Sequence, residues 1–150
     1  NKSDGIVEIQ DLTIKGGEEN GLFAYEGMKV IMRGCTIEEC RGQGVRAREV
    51  DITCDDLQVV GCGFSGVYAD YNATITLSGQ GTTIQGNVTK GERYYYGLTA
   101  AFSYCSFIHF VYPLTKEQIS TNNGGGGNWS KNVKQISNIQ LDHLVTFPTL

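Results

Sequence analysis

The sequence has little proline, no long apolar run and no excess of basic charge. Each of these shortages excludes certain kinds of fold or binding partner. Proline accounts for only 2 of the 150 residues, whereas glycine accounts for 20. This combination indicates many tight turns between short extended segments. No apolar run approaches the roughly 20 residues that a membrane-spanning helix needs, so we expect no membrane span. The 12 basic and 16 acidic residues form no basic stripe, so nucleic acid is not an expected partner.

Cysteine occurs without the spacing that metal and redox motifs require. The five cysteines include no CxxC pair, and their odd number argues against a complete disulfide framework. We therefore expect buried free thiols that act as small apolar side chains. We expect neither a metal nor another cofactor. The five are Cys35, Cys40, Cys54, Cys62 and Cys105.

One phrase of four residues occurs four times in the chain. It reads GLFA, GVRA, GVYA and GLTA, and its copies begin at residues 21, 44, 66 and 97. Each copy has a glycine, an aliphatic residue, a variable residue and an alanine, and successive copies begin 23, 22 and 31 residues apart. Repeats at such intervals indicate a solenoid.

The segments between these phrases align into columns of apolar residues. Alternation of apolar and polar residues within each segment indicates strands with one buried face. Three strands per repeat, each stacked on its counterpart in the next repeat, predict a coil of parallel sheets. The aliphatic residue and the alanine of each phrase should point into the coil. The columns are Ile9, Met32, Cys54 and Leu77; Leu12, Cys35 and Leu57; and Ile14, Ile37, Val59 and Ile84.

The four phrases, with segments such as KVIMRGCTIEEC, resemble the repeat of pectate-lyase-like proteins over about residues 5 to 112. The resemblance implies an all-β, right-handed parallel β-helix, of which we count about four to five rungs. That fold hosts lyases, hydrolases, epimerases, viral tailspikes and adhesins, so it does not assign a function. The stretch VYPLTKEQISTNNGGGGNWS is similar to β-helix proteins encoded by algae and their large DNA viruses.

We divide the chain into a parallel β-helix at residues 1–120 and a Gly-rich loop with a C-terminal tail at residues 121–150. The open end of a solenoid exposes strand edges and needs a cap. The tail is therefore expected to cap the coil or to link it to a neighbour. The chain begins at Asn1 rather than Met, so we expect a processed chain or a piece of a longer one, and we expect it to form an oligomer.

Two ladders of outward residues should follow from the repeat. Side chains alternate along a strand, so the variable residue of each phrase should face solvent, as should the residue two positions later. Adjacent rungs lie roughly 4.8 Å apart, which brings equivalent residues side by side. The ladders consist of Phe23, Arg46 and Tyr68, and of Tyr25, Arg48 and Asp70.

The third interval between phrases contains an insertion with three consecutive tyrosines at residues 94–96. Three neighbours cannot all be buried in one strand, so at least one should be exposed. Insertions in solenoids often lie on the binding face. The predicted ligand-binding residues are therefore Phe23, Tyr25, Arg46, Arg48, Tyr68, Asp70 and Tyr95.

Three interpretations of the ladders remain open at this point. Aromatic rings stack on sugars, and arginine binds carboxylates or sulfates with two parallel hydrogen bonds, which favours a glycan-binding surface. A solvated sheet face held together by cation–π contacts is the second interpretation. The third is an interface with another subunit, because Tyr, Phe and Arg are enriched there.

The residues needed for catalysis do not form a complete set. The resemblance implies that a hydrolase would carry Asp just before the Gly of each phrase, and a calcium-dependent lyase would need a cluster of acidic residues. Only Asp70 lies on this face, and the Tyr-Gly-x-Asp-Pro-His type stretch of the epimerases does not occur. We therefore predict no catalytic residues. The positions before the Gly hold Asn20, Gln43, Ser65 and Tyr96.

The sequence thus favours a non-catalytic structural or surface-attachment module that binds a polysaccharide or a protein partner in a larger assembly. The alternative is a polysaccharide lyase or epimerase that acts on uronate-containing polymers through arginine and tyrosine. Three N-x-[ST] sequons near turns favour an extracellular or virion-surface location. They begin at Asn72, Asn87 and Asn128.

Overall fold

The fold is described from a computed structural model, which defines residues 5–101 and 105–137. Short strands make up nearly all of its regular structure, and the only helix among the described residues has four residues. The strands are β1 (Ile6–Gln10), β2 (Thr13–Lys15), β3 (Leu22–Tyr25), β4 (Lys29–Arg33), β5 (Thr36–Glu38), β6 (Val45–Arg48), β7 (Asp51–Asp55), β8 (Gln58–Val60), β9 (Val67–Asp70), β10 (Thr74–Ser78), β11 (Thr83–Gln85), β12 (Leu98–Ala100), β13 (Phe107–Val111), β14 (Ser120–Thr121) and β15 (Val133–Ile136), and the helix is α1 (Lys116–Ile119).

The strands form three parallel sheets that wind around one core. Sheet 1 has the order β1-β4-β7-β10-β13-β15, sheet 2 has the order β2-β5-β8-β11-β14, and sheet 3 has the order β3-β6-β9-β12. From β1 to β11, each strand pairs with the third strand after it, one turn later, and β13 pairs with β15. This pairing confirms the predicted all-β parallel β-helix. The coil has about 6 turns, more than the repeats indicated, because β15 adds a strand to sheet 1 without a copy of the repeated phrase.

The predicted apolar columns line the inside of the coil, except that Leu12, the first-turn member of its column, is 47% exposed. In sheet 2, Ile14 pairs with Ile37, Ile37 with Val59, and Val59 with Ile84. Ile37, Val59 and Ile84 have 0% exposure. Burying such a side chain fully contributes roughly 1.5 to 3 kcal/mol, so the stacked columns are the main source of stability.

Four of the five cysteines belong to this core, and one does not. Cys35, Cys40, Cys54 and Cys62 are buried, whereas Cys105 is exposed. Burial is the main factor that raises the pKa of the Cys62 thiol to about 12, so this thiol stays neutral. The expectation of five buried thiols is wrong for Cys105 because it lies in the turn before β13 and outside the columns.

Polar side chains connect successive turns of the coil just before the glycines of the phrase. The Gln43 N–H donates to Asn20 Oδ1 at 2.9 Å, and the Ser65 N–H donates to Gln43 Oε1 at 2.7 Å. Later in the coil, the Asn87 N–H donates to Asn123 Oδ1 at 2.9 Å. These amides satisfy backbone donors that the turns leave without a strand partner.

The Gly-rich loop is hydrogen-bonded to the turn that precedes it. Gly124 N–H donates to Asn87 O at 2.9 Å, and Leu98 N–H donates to Asn128 O at 3.0 Å. Trp129 then forms a parallel bridge with Leu98, and β15 pairs with β13. Parallel pairing therefore continues past residue 120, and the remainder of the tail, from residue 138, lies outside the described residues.

Candidate ligand-binding face

Sheet 3 brings the predicted ladder residues together in register. Phe23 pairs with Arg46, and Arg46 pairs with Tyr68. One step further along the strands, Tyr25 pairs with Arg48 and Arg48 with Asp70. The predicted placement of both ladders is confirmed, whereas their role in binding stays a prediction.

Arg46 lies at the centre of the first ladder and contacts both of its aromatic neighbours. Its guanidinium carbon lies 4.8 Å from the centroid of the Phe23 ring and 5.5 Å from that of Tyr68. Its Nη2 donates to Asp70 Oδ2 at 3.1 Å. The positive charge is therefore engaged by two rings and a carboxylate.

Asp70 lies on the outward side of its strand as predicted but is not open to solvent. It is 4% exposed, because Arg46 reaches across from the neighbouring strand to pair with it. Arg48, its partner in register, is instead placed over the Tyr71 ring, 4.0 Å from the centroid. The structure corrects the expectation that the Asp70 carboxylate is accessible to a ligand.

In the first turn of the coil, Tyr25 adds a second ring beside Phe23. The rings of Phe23 and Tyr25 have centroids 5.3 Å apart, and both side chains are exposed. They line a shallow depression together with Arg48. This end of the ladder is therefore open to a ligand.

The insertion places two of its tyrosines differently. Tyr94 is 71% exposed, which confirms that at least one of the three is accessible. Tyr95 is half-buried, with its ring centroid 4.9 Å from that of Phe64 and 5.9 Å from that of Tyr68. Tyr95 thus joins the insertion to the ladder. We call Phe23, Arg46, Tyr68 and Tyr95 the aromatic face.

A cleft of about 700 Å³ lies beside this face. Its walls include Tyr68 and the three tyrosines of the insertion, and we call it the tyrosine cleft. Glu92, Ser130 and Lys131 supply polar groups at the same cleft. Sequence reasoning missed Ser130 and Lys131 because they come from the turn after the Gly-rich loop and carry no repeat signal.

Thr99 ends the first ladder instead of extending it. It pairs with Tyr68 in sheet 3, but it is only 6% exposed. Its Oγ1 lies 2.7 Å from Ser65 Oγ and accepts a hydrogen bond from the Tyr96 N–H at 2.8 Å. The insertion therefore folds back over this position and shapes the cleft there.

The environment of Tyr68 does not activate its phenol as a base. Burial, and next the nearby Asp70 carboxylate, raise the pKa of the Tyr68 phenol, so the phenol stays protonated at neutral pH. Among residues 5–101 and 105–137, no three His, Cys, Asp or Glu side chains come together in a group that could hold a metal ion. No helix in the same part of the chain is long and apolar enough to cross a membrane.

Comparison with protein families assigns the fold family. A family model that describes a right-handed β-helix region matches residues 1–126. The chain belongs to the right-handed β-helix family. Searches of curated proteins and of solved structures gave no significant match. The family of this β-helix protein is thus assigned from its repeat. Its likeness to proteins of algae and large DNA viruses stays a prediction.

Proposed function

We propose that this β-helix protein binds glycans through the aromatic face and the tyrosine cleft, and that it does not cleave them. The observation that carries the proposal is the continuous stack of Phe23, Arg46, Tyr68 and Tyr95, which opens into the cleft. The stack is exposed at Phe23 and partly exposed along the rest of its length, and together with the neighbouring concave surface it suits a sugar chain that lies across the turns.

The lining of the cleft supports a sugar as the ligand. Ring faces provide apolar contact for the C–H side of a sugar, and a few polar groups fix its orientation. Glu92 and Lys131 offer an acceptor and a cation at the same cleft, where the Ser130 hydroxyl accepts a hydrogen bond from the Ala100 N–H at 2.9 Å. The volume of about 700 Å³ lies within the usual range of ligand sites.

Arg46 acts in this proposal by positioning the rings. Its guanidinium is held between Phe23 and Tyr68 and is paired with Asp70. A side chain fixed in this way keeps the neighbouring rings in place before a ligand arrives, and such preorganisation favours binding. Because the Arg46 guanidinium already contacts two rings and the Asp70 carboxylate, Arg46 does not itself select the carboxylates of uronates.

The same contacts argue against a lyase or an epimerase. Either enzyme needs a base with a pKa near the working pH. Burial raises the pKa of Tyr68, and Asp70 is 4% exposed and paired with Arg46. The proposal is therefore a binding or attachment module, acting at an extracellular or virion surface, where polysaccharides are encountered.

A glycan array tests this proposal, with retained ligands then analysed by mass spectrometry. The array should include neutral and uronate-containing polysaccharides. Retention of an intact ligand would support a binding module. A cleaved or epimerised ligand would contradict it in favour of the enzyme, and an array without any retained ligand would contradict the glycan role in favour of a protein partner.

A further inference from the structure

The two ends of the coil differ in how well their apolar columns are covered. Val7, Ile14 and Leu22 in the first turn are only partly buried. Their counterparts one turn later, Val30, Ile37 and Val45, have exposures of 6%, 0% and 0%. Another turn of strands stacked on the first turn would bury these side chains in the same way.

The first turn also leaves backbone groups without strand partners. β1, β2 and β3 are each the last strand at one edge of their sheet. No segment within residues 5–101 and 105–137 pairs with their outer sides. Such edges are templates for pairing with another chain.

Charge distinguishes the two ends of the coil. Residues 5–27 carry five acidic side chains and one basic one, whereas residues 105–137 carry three lysines and one glutamate. Opposite charges attract when the end of one copy faces the beginning of another, and two first turns facing each other would repel. The charged residues are Glu8, Asp11, Lys15, Glu18, Glu19 and Glu26 at the first end, and Lys116, Glu117, Lys131 and Lys134 at the other.

In sheet 1, the residue at the start of a column is complementary in charge or apolar character to the residue at its end. One column at the middle of sheet 1 starts at Glu8 and ends at Lys134, and these two end residues are exposed although Ile31, Thr53 and Thr76 between them are buried. The inward column beside it starts at Val7 and ends at Val133.

We propose that copies of this chain stack end to end, with β15 of one copy in parallel pairing with β1 of the next. This arrangement continues the register of sheet 1 across the junction, so that Lys134 lies beside Glu8 and Val133 beside Val7. It covers Val7 and pairs the open edge of β1, because sheet 1 extends one turn further than the other two sheets. The junction is heterologous, and repeated use of it produces a row of copies that does not close on itself.

Sedimentation velocity of the full chain over a concentration series tests the stacking. The mean mass of the wild type should keep rising with concentration, and added NaCl should weaken the association because it screens the charges. Glu8→Lys and Lys134→Glu should each lower the association constant about tenfold or more, because each places like charges at the junction.

A mixture of the two variants provides the decisive arm. Glu8→Lys and Lys134→Glu chains can alternate in a row with opposite charges at every junction, so the mixture should associate as the wild type does. Asp51→Lys is the matched control, since Asp51 is an exposed acidic residue on the same sheet in the middle of the coil. It should leave the association unchanged.

Three results would overturn the proposal. They are a wild type that stays monomeric at every concentration, a species that stops at a dimer, and a mixture of the two variants that associates no better than each variant alone. None of these results bears on glycan binding, because the aromatic face lies on the side of the coil, in sheet 3.

Discussion

Arg46 on β6 and Asp70 on β9 form a diagonal ion pair, with Nη2 3.1 Å from Oδ2, although neither is the other's partner in strand register. The Asp70 side chain is 6% exposed and that of Arg46 is 27% exposed. The pair removes the one carboxylate expected on this face from solvent. It also fixes the arginine between two rings, which is why the face is better suited to stacking than to proton transfer.

Replacing Arg46 should destabilise the fold, because it leaves a buried carboxylate without its partner. We expect Arg46→Met to lower the free energy of unfolding by about 2 kcal/mol, less than for a fully buried pair because Arg46 is partly exposed. Urea denaturation followed by circular dichroism measures the change. Adding Asp70→Asn to this variant should recover part of the loss, and an Arg46→Met protein as stable as the wild type would contradict the account.

Gly66 is expected to be irreplaceable on steric grounds. A Cβ there would lie 2.7 Å from Asn87 Nδ2 and 3.1 Å from Gly97 O, and it would overlap Ile84 Cγ2. Gly66→Ala should therefore lower the free energy of unfolding by about 2 kcal/mol or more. Gly17→Ala is the matched control, since its Cβ would meet nothing closer than 3.7 Å. Equal midpoints of thermal unfolding for the two variants would show that turns do not stack this closely.

Asn87 should be structural and should not carry a glycan. Its side chain is 1% exposed; Oδ1 accepts from the Cys62 N–H at 2.9 Å, and Nδ2 donates to Val59 O at 3.1 Å. Asn87→Ala should cost about 2 kcal/mol or more because it leaves buried backbone groups unpaired. Gln80→Ala, at an exposed turn residue without a left-handed backbone, should be nearly neutral. Urea midpoints decide between them, and a neutral Asn87→Ala would contradict the structure.

His109 should make the stability depend on pH. Burial, and next the Lys134 charge, lower the pKa of His109 below its usual value of about 6.5, while Asp51 opposes the shift. The unfolded chain therefore binds a proton at a higher pH than the folded chain does, so stability falls as the pH drops through about 6.5 and levels off below the folded-state pKa.

The variant His109→Gln should lose less stability than the wild type between pH 7 and pH 5. Urea midpoints measured across this range provide the comparison. Carboxylates contribute to both proteins, so the difference between the two curves is the relevant quantity. Identical curves would show that the imidazole is equally protonated in the folded and unfolded states.

The regular part of the fold could be predicted because the repeat has a nearly constant length. With intervals of 23 and 22 residues, equivalent residues such as Ile37 and Val59 must stack, and the structure pairs them. The same reasoning placed Arg46 between Phe23 and Tyr68. It depended only on strand alternation and a constant register.

The rest depends on side-chain contacts that a repeat does not encode. Register places Arg48 beside Asp70, but Arg46 forms the ion pair. Register also extends the ladder to Thr99, which the insertion covers. Ser130 reaches the cleft from beyond the Gly-rich loop, where no repeat guides the alignment.

The most direct test of the central claim is glycan-array binding by the wild type, Tyr94→Ala and Tyr112→Ala, measured side by side. Tyr94 lines the cleft and is 71% exposed, whereas Tyr112 is 63% exposed and follows β13 in sheet 1. We expect Tyr94→Ala to lower the affinity for retained glycans about tenfold, as loss of one stacked ring would, and Tyr112→Ala to bind as the wild type does. Equal binding by both variants, or no retained glycan for the wild type, would contradict it.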